Sequence, residues 1–270
     1  MQVFDSYRTF SGAVVSDVGC VRANNEDNYV LGKHMNSSSS DHSEVSFSVS
    51  GDSCSWQFAG VFDGMGGGEI GEQASLESAQ IFLEAFHRLG TCPSKGEVDL
   101  CMRNAFLKAN NRIVDLQQEY SVFGTTGTVL CTSGTEFKIY HLGDSRAYLF
   151  RDNNLVQITK DQTLAQMKID LGKYHANDPA AKADKHKLTE YIGRDWTREH
   201  IKPVESQWLP IQSGDQFLLC SDGLYDMCAD TEIAGILREN DPKNSATALV
   251  KMACDEGGYD NVTCLVAAFL

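Results

Sequence analysis

The sequence predicts an α+β fold in which helices pack on mostly antiparallel sheets, and three observations support this. Runs of β-branched and aromatic residues recur along the chain, separated by short turns. Two longer stretches instead place apolar residues three and four positions apart, as amphipathic helices do. Each helical stretch lies between groups of strand-like runs, an order typical of helix layers on sheets. With 270 residues, of which 42% are hydrophobic, the chain can bury a sizeable core.

Seven runs are predicted to be strands, at residues 12–19, 57–63, 127–132, 136–143, 146–150, 216–222 and 262–269. The serine-rich stretch 36–55 breaks this periodicity, and we expect it to be an insertion that forms a long hairpin connection. A second polar, irregular stretch lies within about residues 161–200, and we expect it to be a flap near a site that sets specificity. The whole chain, 1–270, is expected to form one domain.

Two helices are predicted from their apolar faces. One face comprises Ile81, Phe82, Ala85, Phe86 and Leu89, and the other comprises Val98, Met102, Ala105, Ala109, Ile113 and Leu116. A capping box, Ser94-x-x-Glu97, marks the start of the second helix. The pair Asp241-Pro242 is typical of a further helix start, and that helix should end near Asp255.

Charge and cysteine content exclude several classes of protein. A formal charge of −14 argues against nucleic acid as the main partner. No apolar run approaches the roughly 18 residues of a membrane span, and the first ten residues lack the pattern of a signal peptide, so we expect a cytoplasmic protein that binds no membrane. The nine cysteines form no C-x-x-C pair. Buried reduced thiols are therefore expected, in preference to disulfides or a zinc site.

Five aspartates share one kind of position, beside an apolar run and next to glycine or another turn former: Asp27, Asp63, Asp144, Asp222 and Asp260. A single Asp-Gly is often only a turn. If the strand ends converge, however, the five carboxylates would repel one another unless cations lay between them. Oxygen ligands without paired histidines or cysteines favour Mg²⁺ or Mn²⁺ over Zn²⁺. In that interpretation Asp63 bridges two ions, and Gly64 lets its carbonyl turn toward metal.

Six short blocks extend this pattern: SDVGCVRANNEDNYV, VFDGMGGGEIGEQAS, GTTGTVL, HLGDSRAYLF, LLCSDGLYD and GGYDNVT. Their order and spacing resemble those of the metal-dependent protein phosphatases of type 2C, the PPM family, especially its compact bacterial forms. The resemblance extends from about residue 11 to residue 268. It implies a four-layer α/β/β/α fold, in which two antiparallel sheets form a central sandwich flanked by helix pairs.

The resemblance also implies site roles. The ligands of two ions would be Asp27, Asp63, Asp222, Asp260 and the carbonyl of Gly64, with Glu26 acting from behind them. Asp144 resembles the residue that helps to hold a weaker third ion, although capping of the 143–146 turn is the alternative. Arg22 resembles the arginine that clamps the substrate phosphate, a task suited to a guanidinium fork, and a plain surface arginine is the alternative.

Three positions depart from family patterns. Met65 stands where many members have a histidine that is proposed to protonate the leaving group, so a metal-bound water is expected to supply that proton. Gly68 and Gln162 stand where bacterial members often have histidine. The contacts of the flap at these two positions are therefore expected to differ from those in the family, whereas the metal ligands are not affected. His141, beside the Gly-Asp-Ser turn, is expected to be a structural strand residue.

The sequence therefore predicts a protein serine/threonine phosphatase that hydrolyses phosphoserine and phosphothreonine by direct attack of a water activated at two Mn²⁺ or Mg²⁺ ions. Its partners would be phosphorylated proteins and an opposing serine/threonine kinase, and we expect a monomer. One alternative is a catalytically silent, metal-binding regulatory module. Another is a dedicated phosphatase of one small regulatory protein, and a two-metal nuclease or other phosphodiesterase also fits the acidic pattern alone.

Overall fold

The structure of the chain, a computed structural model, describes residues 9–37, 41–50, 56–66, 69–90, 92–117, 123–175, 177–195 and 201–269. Its strands are β1 (Thr9–Asp17), β2 (Asp27–Leu31), β3 (His34–Met35), β4 (His42–Ser50), β5 (Gln57–Met65), β6 (Gly124–Thr125), β7 (Gly127–Thr132), β8 (Glu136–Leu142), β9 (Arg146–Arg151), β10 (Asn154–Gln157), β11 (Val204–Glu205), β12 (Leu209–Pro210), β13 (Gln216–Cys220) and β14 (Val262–Phe269). Its helices are α1 (Glu69–Arg88), α2 (Lys95–Gln117), α3 (Leu164–Asp170), α4 (Pro179–Asp184), α5 (Asp222–Tyr225), α6 (Asp230–Glu239) and α7 (Pro242–Asp255).

The strands form two antiparallel sheets. The first sheet has the order β10-β9-β13-β14-β1-β4, and the second has the order β11-β8-β7-β5-β2-β3, with β12 paired to β8 and β6 to β5. All seven predicted strands are present, with ends within three residues of the predicted ones.

Three apolar cores separate four layers. Helices α1 and α2 cover the second sheet through a cluster that includes Phe62, Phe82 and Phe106. The first sheet packs on α5, α6 and α7. A third cluster, which includes Phe137 and Phe217, fills the space between the sheets. Because helices cover the outer face of each sheet, strand β14 is buried along all eight residues. The predicted α/β/β/α sandwich is confirmed.

The predicted helix starts are also present. The Ser94 backbone N–H donates to the Glu97 carboxylate (2.7 Å), and the Glu97 N–H donates back to Ser94 Oγ (3.3 Å), which completes the capping box of α2. The Asp241 carboxylate accepts from the Asn244 N–H (2.9 Å) at the start of α7.

The serine-rich stretch differs from its prediction as a connection. Residues His42–Ser50 form β4, which pairs with β1 along nine residues at the edge of the first sheet. Val45, Phe47 and Val49 alternate with more exposed residues, and this period of two is the strand signal that the abundant serines obscured. Residues 38–40 and 51–55 of this stretch lie outside the described ranges.

The flap segment contains two short helices, α3 and α4. Isolated bridges join Thr163 to Leu188 and Thr125 to Ile192, so the described part of the segment is tied to itself and to β6. Residues 176 and 196–200 are not among the described residues, and neither is Gly68.

Cysteine burial follows the prediction only in part. The eight cysteines in the described ranges are all free thiols, and Cys131, Cys220, Cys228 and Cys264 are buried. Cys20 and Cys92 are exposed, because both lie in surface loops. Among the helices of the described residues, none is both long and apolar enough to cross a membrane.

Candidate metal centre

Two neighbouring strands of the second sheet bring the first pair of aspartates together. Asp63, near the end of β5, is the register partner of Asp27, the first residue of β2. The Asp63 N–H donates to Thr126 Oγ1 (2.9 Å), and its carbonyl accepts from the Thr126 N–H (2.8 Å) and from Thr125 Oγ1 (2.9 Å). The backbone at Asp63 is therefore fixed without use of its carboxylate.

The first sheet supplies the second pair. Strand β13 ends at Cys220, shorter than predicted, so Asp222 is the first residue of α5 rather than the last of a strand. Asp260 precedes β14 by two residues. Since β13 and β14 are antiparallel neighbours, the end of one and the start of the other lie at the same edge of the sheet.

These ends line one cavity of about 480 Å³. Its wall includes four of the five predicted aspartates and three further predicted residues: Asp63, Asp144, Asp222, Asp260, Gly64, Arg22 and Glu26. Asp144 reaches the cavity from the turn between β8 and β9. Both sheets thus contribute carboxylates to one site.

The fifth aspartate lies behind the cavity. Asp27 is only 2% exposed and is not part of the wall, and its Oδ2 accepts from Ser221 Oγ (2.6 Å) and Thr263 Oγ1 (2.8 Å). Glu26 does line the cavity. The placement of these two acids is the reverse of the predicted one, because Asp27, at the start of a buried strand, turns its carboxylate toward the other sheet.

Burial and mutual repulsion raise the pKa values of Asp27, Asp63, Asp144 and Asp222. The pKa of Asp63 lies well above its ordinary value, first because of burial and then because of the carboxylates of Asp27, Asp222, Asp144 and Asp260. Burial raises the pKa of Asp27 to about 7, and it also raises the pKa values of Asp144 and Asp222. A cluster of mutually repelling oxygen ligands fits hard divalent cations such as Mg²⁺ and Mn²⁺.

Close backbone approach explains two of the glycines beside Asp63. A Cβ on Gly64 would lie 2.2 Å from the Gly71 carbonyl oxygen and 2.6 Å from the Glu26 carbonyl oxygen. A Cβ on Gly71 would lie 1.9 Å from Glu26 Oε2. The end of β5, the start of α1 and Glu26 can therefore meet only if both positions lack a side chain.

Arg22 places a cation in the cavity wall. Its Nη2 donates to Asp260 Oδ2 at 2.7 Å, and about half of its side chain is exposed. This hydrogen bond, opposed by partial burial, raises the pKa of the guanidinium. A fixed cation beside the carboxylates suits the binding of an anionic group.

Three residues that shape the site were not predicted from the sequence. His186, in the flap segment, has Nδ1 at 3.1 Å from Asp222 Oδ2 and Nε2 at 3.3 Å from Asp226 Oδ2. Asn261 accepts from the Glu26 N–H (2.8 Å) and so joins two of the loops. For Asp226, its spacing of four residues from Asp222 was a usable signal, whereas a lone histidine among lysines carries none.

Met65 and His141 lie where the sequence suggested. Met65 lines the cavity, where it offers no transferable proton. His141 is buried in β8, with Nδ1 at 2.9 Å from Thr128 Oγ1 and Nε2 at 3.2 Å from the Lys160 carbonyl. These contacts fit a structural residue.

Comparison with known proteins gives matches over most of the chain. The sequence model described as "Protein phosphatase 2C" matches residues 13–168. The serine/threonine protein phosphatase PstP of Mycobacterium tuberculosis is 33% identical over 259 residues, which cover 94% of this chain and 44% of that protein. The serine/threonine phosphatase Stp of Listeria welshimeri is 29% identical over 76% of this chain and 82% of its own length.

A solved structure of the PstP catalytic domain in complex with two manganese ions is 31% identical, with a TM-score of 0.76, over 97% of this chain and 99% of that one. The chain spans less than half the length of the Mycobacterium relative. The shared fold agrees with the sandwich described above.

Proposed function

This chain belongs to the protein phosphatase 2C family, and on that premise we propose that it hydrolyses phosphoserine and phosphothreonine in proteins, using two divalent cations. The observation that carries the proposal is the convergence of Asp63, Asp222 and Asp260 from two sheets on one cavity, with Arg22 in its wall. The two-manganese relative supports the number of ions.

We assign Asp63, Asp222, Asp260 and the Gly64 carbonyl as the groups that would hold the two ions, and Asp63 would be shared between them. When bound, two Mn²⁺ or Mg²⁺ ions supply an activated water and offset the charge of the phosphate. Asp144, at the edge of the same cavity, is assigned to a weaker third ion. Mutual repulsion among the carboxylates favours cation binding at this place.

Glu26 and Asp27 support these ligands from different sides. Glu26 lines the cavity and is held by the bond from its N–H to Asn261. Asp27 accepts two hydroxyl hydrogen bonds behind Asp63, so its role is to orient the strand ends rather than to face substrate.

Arg22 binds the phosphate of the substrate. One guanidinium nitrogen donates to Asp260, which fixes the plane of the group, and the fork geometry matches two phosphate oxygens. A phosphorylated side chain of a protein can enter the open cavity with its charge facing Arg22 and the cations. Protonation of the leaving alkoxide falls to water, since Met65 cannot donate a proton.

The proposal is tested by release of phosphate from p-nitrophenyl phosphate and from a phosphothreonine peptide, with Mn²⁺, with Mg²⁺ and with chelator. We expect metal-dependent turnover that falls by at least about a thousandfold in Asp222→Asn, since one of the carboxylates assigned to the two ions is lost. Asp215→Asn is the control, because Asp215 is a buried aspartate that pairs with Arg151 and does not line the cavity. A folded, Mn²⁺-binding wild type without turnover would instead favour the silent regulatory module.

A further inference from the structure

Two thiols lie on the two loops that position Arg22 and Asp260. Cys20 is in the turn after β1, two residues before Arg22, and Cys254 is in the last turn of α7, six residues before Asp260. Cys20 Sγ lies 3.6 Å from the Cys254 carbonyl oxygen. The side chain of one cysteine therefore reaches the backbone of the other across the boundary between the loops.

The loops pack directly on each other at this point. The Cys20 N–H donates to the Gly258 carbonyl (2.8 Å), and Gly258 adopts a positive φ of +50°. A Cβ placed on Gly258 would lie 2.9 Å from Cys20 Sγ and 3.2 Å from the Cys254 Cα. The space left by the missing side chain of Gly258 thus borders both cysteines, and any side chain at this position would come between them. The Cys20 thiol is also one of the groups that interact with the Cys254 thiol, so the two sulfurs are neighbours, as a disulfide requires.

The two thiols differ in exposure, and this difference determines which of them reacts first. Cys20 is exposed, so a small oxidant reaches its sulfur from solvent. Cys254 is half-buried, and its pKa is raised to about 11 by burial, by the Asp17 carboxylate and by the neighbouring Cys20 thiol. Its Sγ lies 3.9 Å from Asp17 Oδ1. Cys254 is therefore the protected partner that reacts second.

We propose that Cys20 and Cys254 are a reversible redox pair, which hydrogen peroxide converts into a disulfide that lowers turnover. In the first step the Cys20 thiolate attacks peroxide, an S–O bond forms, the O–O bond breaks and hydroxide leaves. In the second step the Cys254 sulfur loses its proton and attacks the Cys20 sulfenic acid, so that an S–S bond forms and the S–O bond breaks. The released hydroxide and protons form water, so two thiols lose two electrons and one peroxide becomes two waters.

The consequence for activity follows from the neighbours of the pair. An S–S bond is about 2.05 Å long, so the turn that carries Cys20 must move toward α7. Arg22 is two residues away, and its bond to Asp260 spans the same two loops. Displacement of a clamping group by about 1 Å can cost roughly a hundredfold in rate. The effect on turnover rests on the proposed function, whereas formation of the bond does not.

Peptide mapping tests the bond. The full chain is treated with hydrogen peroxide, alkylated and digested with trypsin without reduction. We expect residues 9–22 to be linked to residues 252–270, with fragment ions that place the link at Cys254 rather than at Cys264, which is buried in β14. Dithiothreitol should release the link. Cys20 recovered only as a sulfenic or sulfinic acid, or linked to another cysteine, would overturn the proposal.

Turnover tests the consequence. After peroxide treatment we expect kcat/KM for a phosphothreonine peptide to fall at least tenfold in the wild type and in Cys92→Ser, which removes the other exposed described cysteine. Dithiothreitol should restore it. Cys20→Ser and Cys20→Ala should resist peroxide. Unchanged turnover in a sample shown to carry the link would overturn the regulatory role. Absence of turnover in the reduced wild type would count against the phosphatase proposal alone, since the mapping still decides the bond.

Discussion

Replacement of Asp63 by Asn should make the metal-free protein more stable while it removes the response to metal. Burial, followed by repulsion from the carboxylates of Asp27, Asp222, Asp144 and Asp260, raises the pKa of Asp63 well above the ordinary value. The backbone bonds at Asp63 do not involve the carboxylate, so asparagine can keep them. Replacement of an ordinary buried aspartate would instead lower the stability of the protein, because the loss of its carboxylate breaks favourable contacts.

The size of the effect follows from the charges. Two like charges about 4 Å apart repel by about 4 kcal/mol at an effective dielectric constant of 20, and protonation of the cluster relieves part of this. We therefore expect Asp63→Asn to raise the free energy of unfolding in chelator by about 1–3 kcal/mol at pH 7.5. For a chain of this size that is a rise in Tm of a few degrees, at about 2–4 °C for each kcal/mol.

Thermal unfolding with chelator and with Mn²⁺ measures both halves of this prediction. For the wild type, Mn²⁺ at 100 times its dissociation constant should add about 2.7 kcal/mol for each site. Asp63→Asn should show little of this gain. Asp215→Asn, the control in which a paired buried carboxylate is lost, should be destabilised in both conditions and should keep the Mn²⁺ response. A destabilised Asp63→Asn that retains the full Mn²⁺ shift would refute the reasoning.

Two further predictions concern Arg22 and His141. Arg22→Ala should lower kcat/KM for a phosphothreonine peptide by about tenfold to a hundredfold, mostly through KM. The dissociation constant of Mn²⁺ should be unchanged or lower, because the substitution removes a cation from beside Asp260. Weakened Mn²⁺ binding would indicate a structural role for Arg22 instead. Burial lowers the pKa of His141 to about 4, below its value of about 6.5 in the unfolded chain. As pH falls from 7.5 to 5, the unfolded chain therefore binds a proton at His141 that the folded chain does not bind. The free energy of unfolding, measured with urea at each pH, should drop by about 2 kcal/mol more in the wild type than in His141→Gln. Parallel pH profiles of the two proteins would show that His141 is not buried in its neutral form.

Much of the fold was predictable because its signals are local. The long helices present apolar residues at regular intervals, and β14 is apolar except at Thr263 since both of its faces are covered. The edge strand β4 was missed because four of its nine residues are serine, which is typical of loops. Strand β2 was missed because it is only five residues long and begins with two polar residues.

The site was predictable as a group of residues but not as an arrangement. The aspartates share a position at element ends, so their convergence followed from strand pairing. Which of Glu26 and Asp27 faces the cavity depends on the direction of a side chain at the first residue of a strand, and a shift of one residue reverses it. His186 comes from a polar segment without periodicity, so only the tertiary fold could bring it to Asp222.

The buried acid Asp27 explains why the centre and the fold depend on each other. Asp27 belongs to the second sheet, whereas the hydroxyls that it binds come from the side of the first, because Thr263 lies in β14 and Ser221 directly follows β13. Its carboxylate therefore joins the two sheets beneath the point where Asp63 and Asp222 meet. Movement of one sheet relative to the other would separate the ligands and break these bonds together. The same contacts that close this end of the sandwich thus hold the carboxylates at the spacing that two cations require.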